Sequence, residues 1–447
     1  MKTITLLVTF IVSTVLYSQN AQFENELDAL FKKDFSERTP GCSILIMQNG
    51  KTVYNKAFGS ANLELDVPLK TESVFSIASI TKQFTAVSIL QLVSKGKLKL
   101  NDPIEKYVAD FSGKGILIEH LLTYTSGLKD YLQIETGQKQ GERLDYSPIE
   151  LINLFKNIPL EFEPGTKYKY CNSDYIILGY IIEKVSGKTY DEYLKENIFT
   201  PLKMEHTYYD TDEIIIKNRA AGYFKDAAVY KKAEFWSATL GYSAGGLLSC
   251  TADLQKWQNG LTSYTILPKE YLDLAFTPYK LKDGTPVTYG FGWNITTVNG
   301  IKRIDHGGSK NGSRAYEAYF PEKQLYMVLL FNSENAPRDE MAVKVAEIML
   351  GTSLQANKTV STETLTRYVG KYRLTSDKKR VITVTKEKTG LVANISGQGK
   401  FELVFQTETS FQLKNMADIT CEFKLNNGRV DRMIVHQNGQ YEWEKFE

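Results

Sequence analysis

Four serines in this chain are followed three residues later by a lysine: Ser79–Lys82, Ser94–Lys97, Ser126–Lys129 and Ser376–Lys379. Residues three apart on a helix share a face, so each pair sets a hydroxyl beside an amine able to take its proton. Only the first opens an apolar helical pattern, with Ile80, Phe84, Val87, Leu90 and Val93 as a core stripe and Gly96 as its stop. Acyl transfer by a serine needs an activated hydroxyl, a proton carrier and hydrogen-bond donors for the tetrahedral oxyanion. Ser79 is the candidate nucleophile, and Lys82 can serve as its base if burial or neighbouring positive charge lowers the amine's pKa.

Two more short motifs bear on the same chemistry. Tyr170-Cys171-Asn172 is the only Tyr-x-Asn among 27 tyrosines, and His306-Gly307-Gly308-Ser309 is the only His-x-Gly among four histidines. The Tyr170 phenol can relay a proton to a leaving group, and Asn172 offers a donor and an acceptor to hold Lys82 and a substrate amide. The glycines after His306 allow a strand edge to approach a substrate. Taken singly, each motif also has a structural reading. Tyr170 can be core with Asn172 as a helix cap, and His306-Gly-Gly can be a turn. Their occurrence together, in one order, favours the chemical reading.

The elements that must position these residues are legible in outline. Residues 42–58 predict a β-hairpin turning at Asn49-Gly50. Helices are predicted around Ser79, at Ile118–Leu122, after the capping box Ser147-Pro148-Ile149-Glu150, over Ser173–Val185 with Gly187 as stop, and after Thr189-x-x-Glu192. Strands follow at Ile301–Asp305, Arg314–Phe320 and Leu325–Asn332, then a helix over Asp339–Leu350. Strands at both ends of a helical middle predict an α+β domain over 19–352, with one antiparallel sheet built from distant parts of the chain. A polar, Ser/Thr-rich linker is expected over 353–363. Short strands separated by turns then predict a small antiparallel β-barrel or sandwich over 364–447.

Composition excludes several functions. With 54 basic and 52 acidic residues the formal charge is +2, without the concentrated basic face that nucleic acid requires. Lys2, the apolar run Ile4–Leu16 and Leu16-Tyr17-Ser18 read as a signal peptide over 1–18, predicting export to the periplasm or the medium. No later segment has the apolar length of a membrane span. The four cysteines are too scattered for a disulfide framework or a zinc site, and export permits one disulfide at most as a sequence expectation. No metal or organic cofactor is expected.

The motifs and their flanks resemble those of the serine β-lactamase and penicillin-binding-protein superfamily, in the branch holding class C β-lactamases, DD-peptidases, D-amino-acid peptidases and esterases. The likeness runs through Phe75-Ser76-Ile77-Ala78-Ser79, Leu121-Leu122-Thr123-Tyr124-Thr125-Ser126-Gly127-Leu128, Pro164-Gly165, Tyr170-x-Asn172-x-x-Tyr175-x-x-Leu178-Gly179 and Ser243-Ala244-Gly245-Gly246-Leu247. It implies a transpeptidase-like fold with an all-helical lobe. It makes Ser79 the acylated nucleophile, Lys82 and Tyr170 the general-base system, and Asn172 the group orienting lysine and substrate. The oxyanion hole would be the backbone N–H groups of Ser79 and Ser309. His306 stands where many relatives carry the lysine of Lys-Thr-Gly, and Tyr124 where relatives often show histidine. A neutral imidazole suits esterases and peptidases better than recognition of a penicillin or D-alanyl carboxylate. The C-terminal strands resemble the lipocalin-like domains that often follow this catalytic domain and can influence substrate choice.

The expectation is therefore an exported serine hydrolase acting on esters or amides, including small D-residue or peptidoglycan-derived peptides. The alternatives are a DD-carboxypeptidase or β-lactamase, and a penicillin-binding sensor without turnover. A rival nucleophile lies in Gly241-Tyr242-Ser243-Ala244-Gly245, which matches the α/β-hydrolase elbow, with Asp253, Asp283 or Asp305 and then His306 in the required order. The upstream chain lacks the βα alternation that elbow needs.

Overall fold

A computed structural model describes residues 23–447 apart from 112–114, 135–140, 212, 299, 353–359, 388–389, 397–398, 415, 427 and 437–438. The export signal expected over 1–18 and most of the linker expected over 353–363 lie outside the described residues.

Strand β1 (Cys42–Gln48) turns through Asn49 (φ 51°) and Gly50 (φ 75°) into β2 (Lys51–Phe58). Two positive φ values in succession match the twist of the flanking strands, which is why Asn-Gly makes this hairpin. The remaining strands of the sheet come some 240 residues later: β3 (Asn294–Val298), β4 (Ile301–Lys310), β5 (Ser313–Phe320) and β6 (Leu325–Phe331). The antiparallel order is β3-β4-β5-β6-β1-β2, so β6 closes the sheet against β1 with Cys42 opposite Phe331. Every residue of β6 is buried, as a central strand covered on both faces requires.

Helix α1 (residues 23–34) precedes the sheet. Between β2 and β3 the chain builds the helical lobe around α2 (Thr81–Ser94), α3 (Asn172–Ser186), the kinked α4 (Ala238–Gly245) and α5 (Thr251–Thr262). Helix α6 (Arg338–Leu350) follows β6. The side chains of β1 alternate between two cores. Ile44 and Ile46 join Leu27 and Phe31 of α1 and Val345 of α6, whereas Leu45 and Met47 face the lobe.

Helix α2 departs from the single core stripe that its pattern predicts. Residues Thr81 through Leu92 are all buried, because the helix runs through the middle of the lobe. Its polar side chains find partners there: Thr85 Oγ1 donates to the Ser243 carbonyl at 2.7 Å, Ser88 Oγ to Phe84 O at 2.8 Å, and Gln91 Nε2 to Ile266 O at 2.8 Å. Helices α3 and α4 cross in close contact at Gly179. A Cβ there would lie 2.1 Å from Ser243 Oγ and 2.4 Å from its Cβ.

Helix α7 (Thr362–Tyr368) leads into eight antiparallel strands: β7 (Gly370–Leu374), β8 (Asp377–Glu387), β9 (Gly390–Ile395), β10 (Gly399–Phe405), β11 (Ser410–Leu413), β12 (Met416–Asn426), β13 (Arg429–His436) and β14 (Gln440–Lys445). Pairing of Tyr372 with Lys445 closes the barrel, which leaves no free edge. Stacked rings fill its interior, with Tyr368 and Phe411 at 4.2 and 4.7 Å from Phe423. The described structure is thus a transpeptidase-like α+β domain followed by a closed barrel. All four cysteines are buried free thiols, so the disulfide that export would permit is not formed.

The Gly179 contact leads to a stability prediction. Gly179→Ala should destabilise the protein by about 1–3 kcal/mol, since neither helix backbone can give way without disturbing the other. A fall in the urea unfolding midpoint at unchanged slope is the expected result, and an unchanged midpoint would show that the helices can part.

Candidate active site

The nucleophile candidate is reached through a short strand. Phe75–Ser76 pairs with Leu247–Ser249, and the chain then makes a single 3₁₀ turn over Ala78–Ile80 before α2 begins at Thr81. Ser79 therefore sits on the turn at the mouth of the helix, not within the α-helix. Ala78 is held in the left-handed region (φ 45°), a conformation that costs a non-glycine residue about 1–3 kcal/mol. Strand β4 braces the turn from behind. At Gly308 a Cβ would lie 2.3 Å from the Ile77 carbonyl oxygen, so only glycine lets strand and turn meet. This corrects the expectation that Gly308 clears space for substrate: its missing side chain serves the strand-to-turn contact.

The four Ser-x-x-Lys serines separate clearly by environment. Ser79 is half-buried and faces a cleft. Ser94 Oγ donates to its own helix at Gln91 O, and Ser126 Oγ is buried against Asp174 Oδ1 at 2.5 Å. Ser376 is exposed on the barrel rim. The rival Ser243 is fully buried, its Oγ donating to Tyr175 O at 2.7 Å, and it lies within α4, not after a buried strand.

Around Ser79 the structure brings together Lys82, Tyr170 and Asn172. Ser79 Oγ lies 2.8 Å from the Tyr170 hydroxyl and 3.0 Å from Lys82 Nζ. Lys82 Nζ also donates to Asn172 Oδ1 at 2.9 Å and to the Ala244 carbonyl at 2.6 Å. Lys82 is wholly buried, and burial drives its pKa down to about 7, against the opposing pull of Asp130 and Cys171. A neutral amine has two protons and one lone pair. With Asn172 Oδ1 and Ala244 O both able only to accept, the lone pair is left for Ser79. Burial pushes the Tyr170 phenol up, beyond the ordinary tyrosine range, although its bond to Ser79 works the other way. Tyr170 therefore stays protonated near neutral pH and can pass a proton without ever holding a charge for long.

Sequence inspection missed three partners. Asp130 Oδ2 accepts from both the Asn172 backbone N–H (3.1 Å) and Asn172 Nδ2 (2.9 Å). Ala244 is delivered by the kink in α4, where Tyr242 adopts φ 35° and ψ −131°. The Tyr289 hydroxyl lies 3.1 Å from His306 Nε2 and 3.3 Å from the Tyr124 hydroxyl. The position of Asp130, two residues beyond the Thr-Ser-Gly-Leu segment, is a signal that was open to reading. A backbone carbonyl such as Ala244 O leaves no residue-type signature.

His306 lines the cleft but is almost buried, with both ring nitrogens engaged: Nδ1 at 2.7 Å from Gly307 O and Nε2 with Tyr289. Burial, with the charges of Lys82 and Arg338 adding to it, pushes its pKa down to about 3, so the ring is neutral wherever the protein is folded near neutral pH. Behind it, Tyr124 (φ 57°) packs its ring 4.6 Å from those of both Tyr170 and Tyr289 and thereby wedges the Tyr170 phenol in place. Ser309 is exposed in the cleft, its Oγ accepting from Arg338 Nη1 at 3.2 Å. Pairing with β3 covers only the 301–305 half of β4; beyond it His306, Gly307, Ser309 and Lys310 line the cleft, and the Gly308 carbonyl accepts from Arg338 Nη1 at 3.1 Å.

The cleft measures about 1190 Å³, and the barrel contributes Ser376, Thr420, Gln440 and Tyr441 to a lining that also includes Tyr168, Tyr170 and Lys310. Lys169, next to Tyr170, makes an antiparallel bridge to Gly439. Among the described residues there is no group of three or more His, Cys, Asp or Glu placed to hold a metal ion, and no helix long and apolar enough to cross a membrane.

Comparison with known proteins accords with this geometry. Penicillin-binding protein 4* of Bacillus subtilis (strain 168) is 29% identical over 425 residues, 90% of this chain and 93% of the relative. A D-aminopeptidase of Brucella anthropi is 27% identical over 318 residues; the match takes in 70% of this chain but only 60% of that longer relative. The octameric penicillin-binding protein homologue from Pyrococcus abyssi superposes with a TM-score of 0.67 at 27% identity, over 94% of this chain and 99% of that one. Residues 354–447 match a domain family of unknown function, DUF3471. Residues 22–349 match the β-lactamase family, and the chain belongs to that family of serine hydrolases.

Proposed function

We propose that this protein is an exported hydrolase that cleaves esters or amides, D-aminoacyl amides and short peptides among them, through an acyl-enzyme on Ser79. The observation that carries the reading is the fully buried Lys82, with two fixed acceptors and its lone pair directed to Ser79 Oγ at 3.0 Å. Ser79 Oγ attacks the substrate carbonyl carbon while its proton passes to Lys82 Nζ. The oxyanion is taken by the backbone N–H groups of Ser79 and Ser309. As the tetrahedral intermediate collapses, the leaving nitrogen or oxygen receives a proton through Tyr170, which is replenished from Lys82. Water then attacks the ester and gives up its proton to the same Lys82–Tyr170 pair, and the second tetrahedral intermediate collapses to the acid as that proton passes to Ser79 Oγ. Asn172 holds Lys82 and is within reach of a substrate amide, and the 306–310 half of β4 can pair with substrate backbone.

The neutral His306 supplies no charge for a substrate carboxylate, which favours neutral esters and amides. A second reading, DD-carboxypeptidase or β-lactamase, draws on Arg338, whose guanidinium stands 3.2 Å from Ser309 Oγ in the cleft wall. The signal read over 1–18 puts either chemistry in the periplasm or the medium. The barrel residues that share the cleft lining favour discrete, short substrates.

Labelling with a fluorophosphonate and with a fluorescent penicillin tests the core of this reading. Ser79 should be modified and Ser79→Ala should not. The rate should climb with pH through about 7, since Lys82 must be neutral to accept the proton, and Lys82→Met should lose about 10²–10⁴-fold. A screen over short esters, D-aminoacyl amides, D-Ala-D-Ala peptides and nitrocefin then chooses the substrate class, and an adduct without turnover would favour a sensor. Absence of Ser79 labelling by every probe, with no turnover, would sink the proposal. For the barrel wall, Gln440→Trp should raise KM for a tripeptide amide and leave that for nitrophenyl acetate near its original value. Equal effects on both would remove the barrel from substrate selection.

A further inference from the structure

We propose that Asp130, which does not touch the nucleophile, is the positioning residue that holds the Asn172 amide one way round and so aims the Lys82 lone pair at Ser79. The inference rests on the acyl-enzyme reading of Ser79 given above.

The geometry is specific. Asp130 is almost buried, yet no cation contacts its carboxylate among the hydrogen bonds of the described residues. Its three partners there are neutral N–H donors: Leu132 N on Oδ1 (3.0 Å), and Asn172 N (3.1 Å) and Nδ2 (2.9 Å) on Oδ2. A carboxylate can only accept, so Asn172 must turn its NH₂ toward Asp130 and its Oδ1 toward Lys82. The opposite orientation would put oxygen against carboxylate on one side and donor against ammonium on the other. It would also offer an N–H to the lone pair of a neutral Lys82, in competition with Ser79. Asp130 thus acts on the nucleophile through two intermediates, Asn172 and Lys82.

Its charge has a second effect in the same place. Burial disfavours the ammonium form of Lys82, and Asp130, just beyond the Asn172 amide, opposes that. The other groups facing Lys82 stay neutral in the working range. Tyr170 and Tyr175, whose rings lie 5.0 and 5.7 Å from Nζ, are raised by burial, as is the Cys171 thiol, and His306 is lowered. Around Asp130 itself, burial likewise raises the Tyr131 phenol and the Asp174 carboxyl, the latter bound to Ser126. Asp130 is therefore the negative charge that keeps Lys82 from losing its proton still earlier.

The simpler alternative is a structural one. Asp130 accepts the first N–H of α3, and the adjoining loop is stitched to the helix by Ser173 Oγ to Lys129 O (2.7 Å) and Tyr131 N to Ser173 Oγ (2.8 Å). A carboxylate at a helix N-terminus stabilises the helix whatever the chemistry nearby. The two roles predict different behaviour with pH.

Asp130→Asn keeps the shape and removes the charge. The rate of Ser79 modification by a fluorophosphonate, followed across the acid and neutral range beside the thermal midpoint, separates the possibilities. The inference predicts that the pH midpoint of labelling moves down by about one unit. It also predicts a plateau rate about tenfold lower, because Asn172 is free to turn and capture the lone pair. A slower plateau or a lower melting temperature with the pH midpoint unmoved would reduce Asp130 to a helix cap and overturn the inference. So would behaviour identical to the unsubstituted protein. Should Asp130→Asn fail to fold, Asp130→Ser, which still accepts from the helix start without charge, must show the same downward shift. Failure of the unsubstituted protein to label at any pH would overturn the acyl-enzyme reading itself, an outcome visible without any Asp130 variant.

Discussion

A primary amine sealed from water is the constraint on which the rest of the site depends. Lys82 Nζ has no solvent to satisfy it, so each of its contacts must be built by the fold: Ser79 Oγ, Asn172 Oδ1 and Ala244 O. An ammonium in such a place is costly, which is what lowers the amine's pKa toward neutrality. Each partner comes from a different part of the chain. Ser79 arrives on the turn ahead of α2, Asn172 opens α3, and Ala244 closes α4. The Gly179–Ser243 contact, where α3 and α4 meet without an intervening side chain, sets the distance between the last two.

Two strained backbone positions lie beside the same amine. Ala78 and Tyr242, both with positive φ, flank the site on the nucleophile side and the carbonyl side. Strand β4 reinforces the first of these through the Gly308–Ile77 contact, and Thr85 Oγ1 of α2, also bonded to Tyr190 at 2.6 Å, ties the second to α2 by donating to the Ser243 carbonyl. Such conformations persist only where packing on every side enforces them. The helical lobe supplies that packing by burying α2 completely. The large tyrosine cluster of Tyr124, Tyr168, Tyr170, Tyr175 and Tyr289 does the same for the phenol.

Legibility in the sequence followed the range of each interaction. Ser79 and Lys82 are three residues apart, and Tyr170 and Asn172 two apart, so their relation survives as a short motif. The hairpin turn at Asn49-Gly50 and the helix stop at Gly187 (φ 73°) were legible for the same reason, since backbone sign and residue type are tied locally. Ala244 lies 162 residues after Lys82, beyond any local pattern, and Asp130, 42 residues before Asn172, shows only through its place just after the Thr-Ser-Gly-Leu segment. The single core stripe expected of α2 failed because the lobe surrounds that helix. Strands β7 and β14 escaped notice because each brings only two apolar side chains, too few for a period to show. Gly308 was read as room for substrate, when the steric demand comes from Ile77 behind it.

The central claim is that Lys82 gives up its proton near neutral pH while buried against Ser79. Nitrogen-detected NMR of protein labelled with [15N]lysine, with the Lys82 resonance assigned through Lys82→Met, measures this directly. A titration centred near pH 7 is the predicted result, in line with burial lowering the amine to about 7. A Lys82 resonance that remains that of an ammonium group up to the ordinary lysine range, near 10.5, would contradict the account.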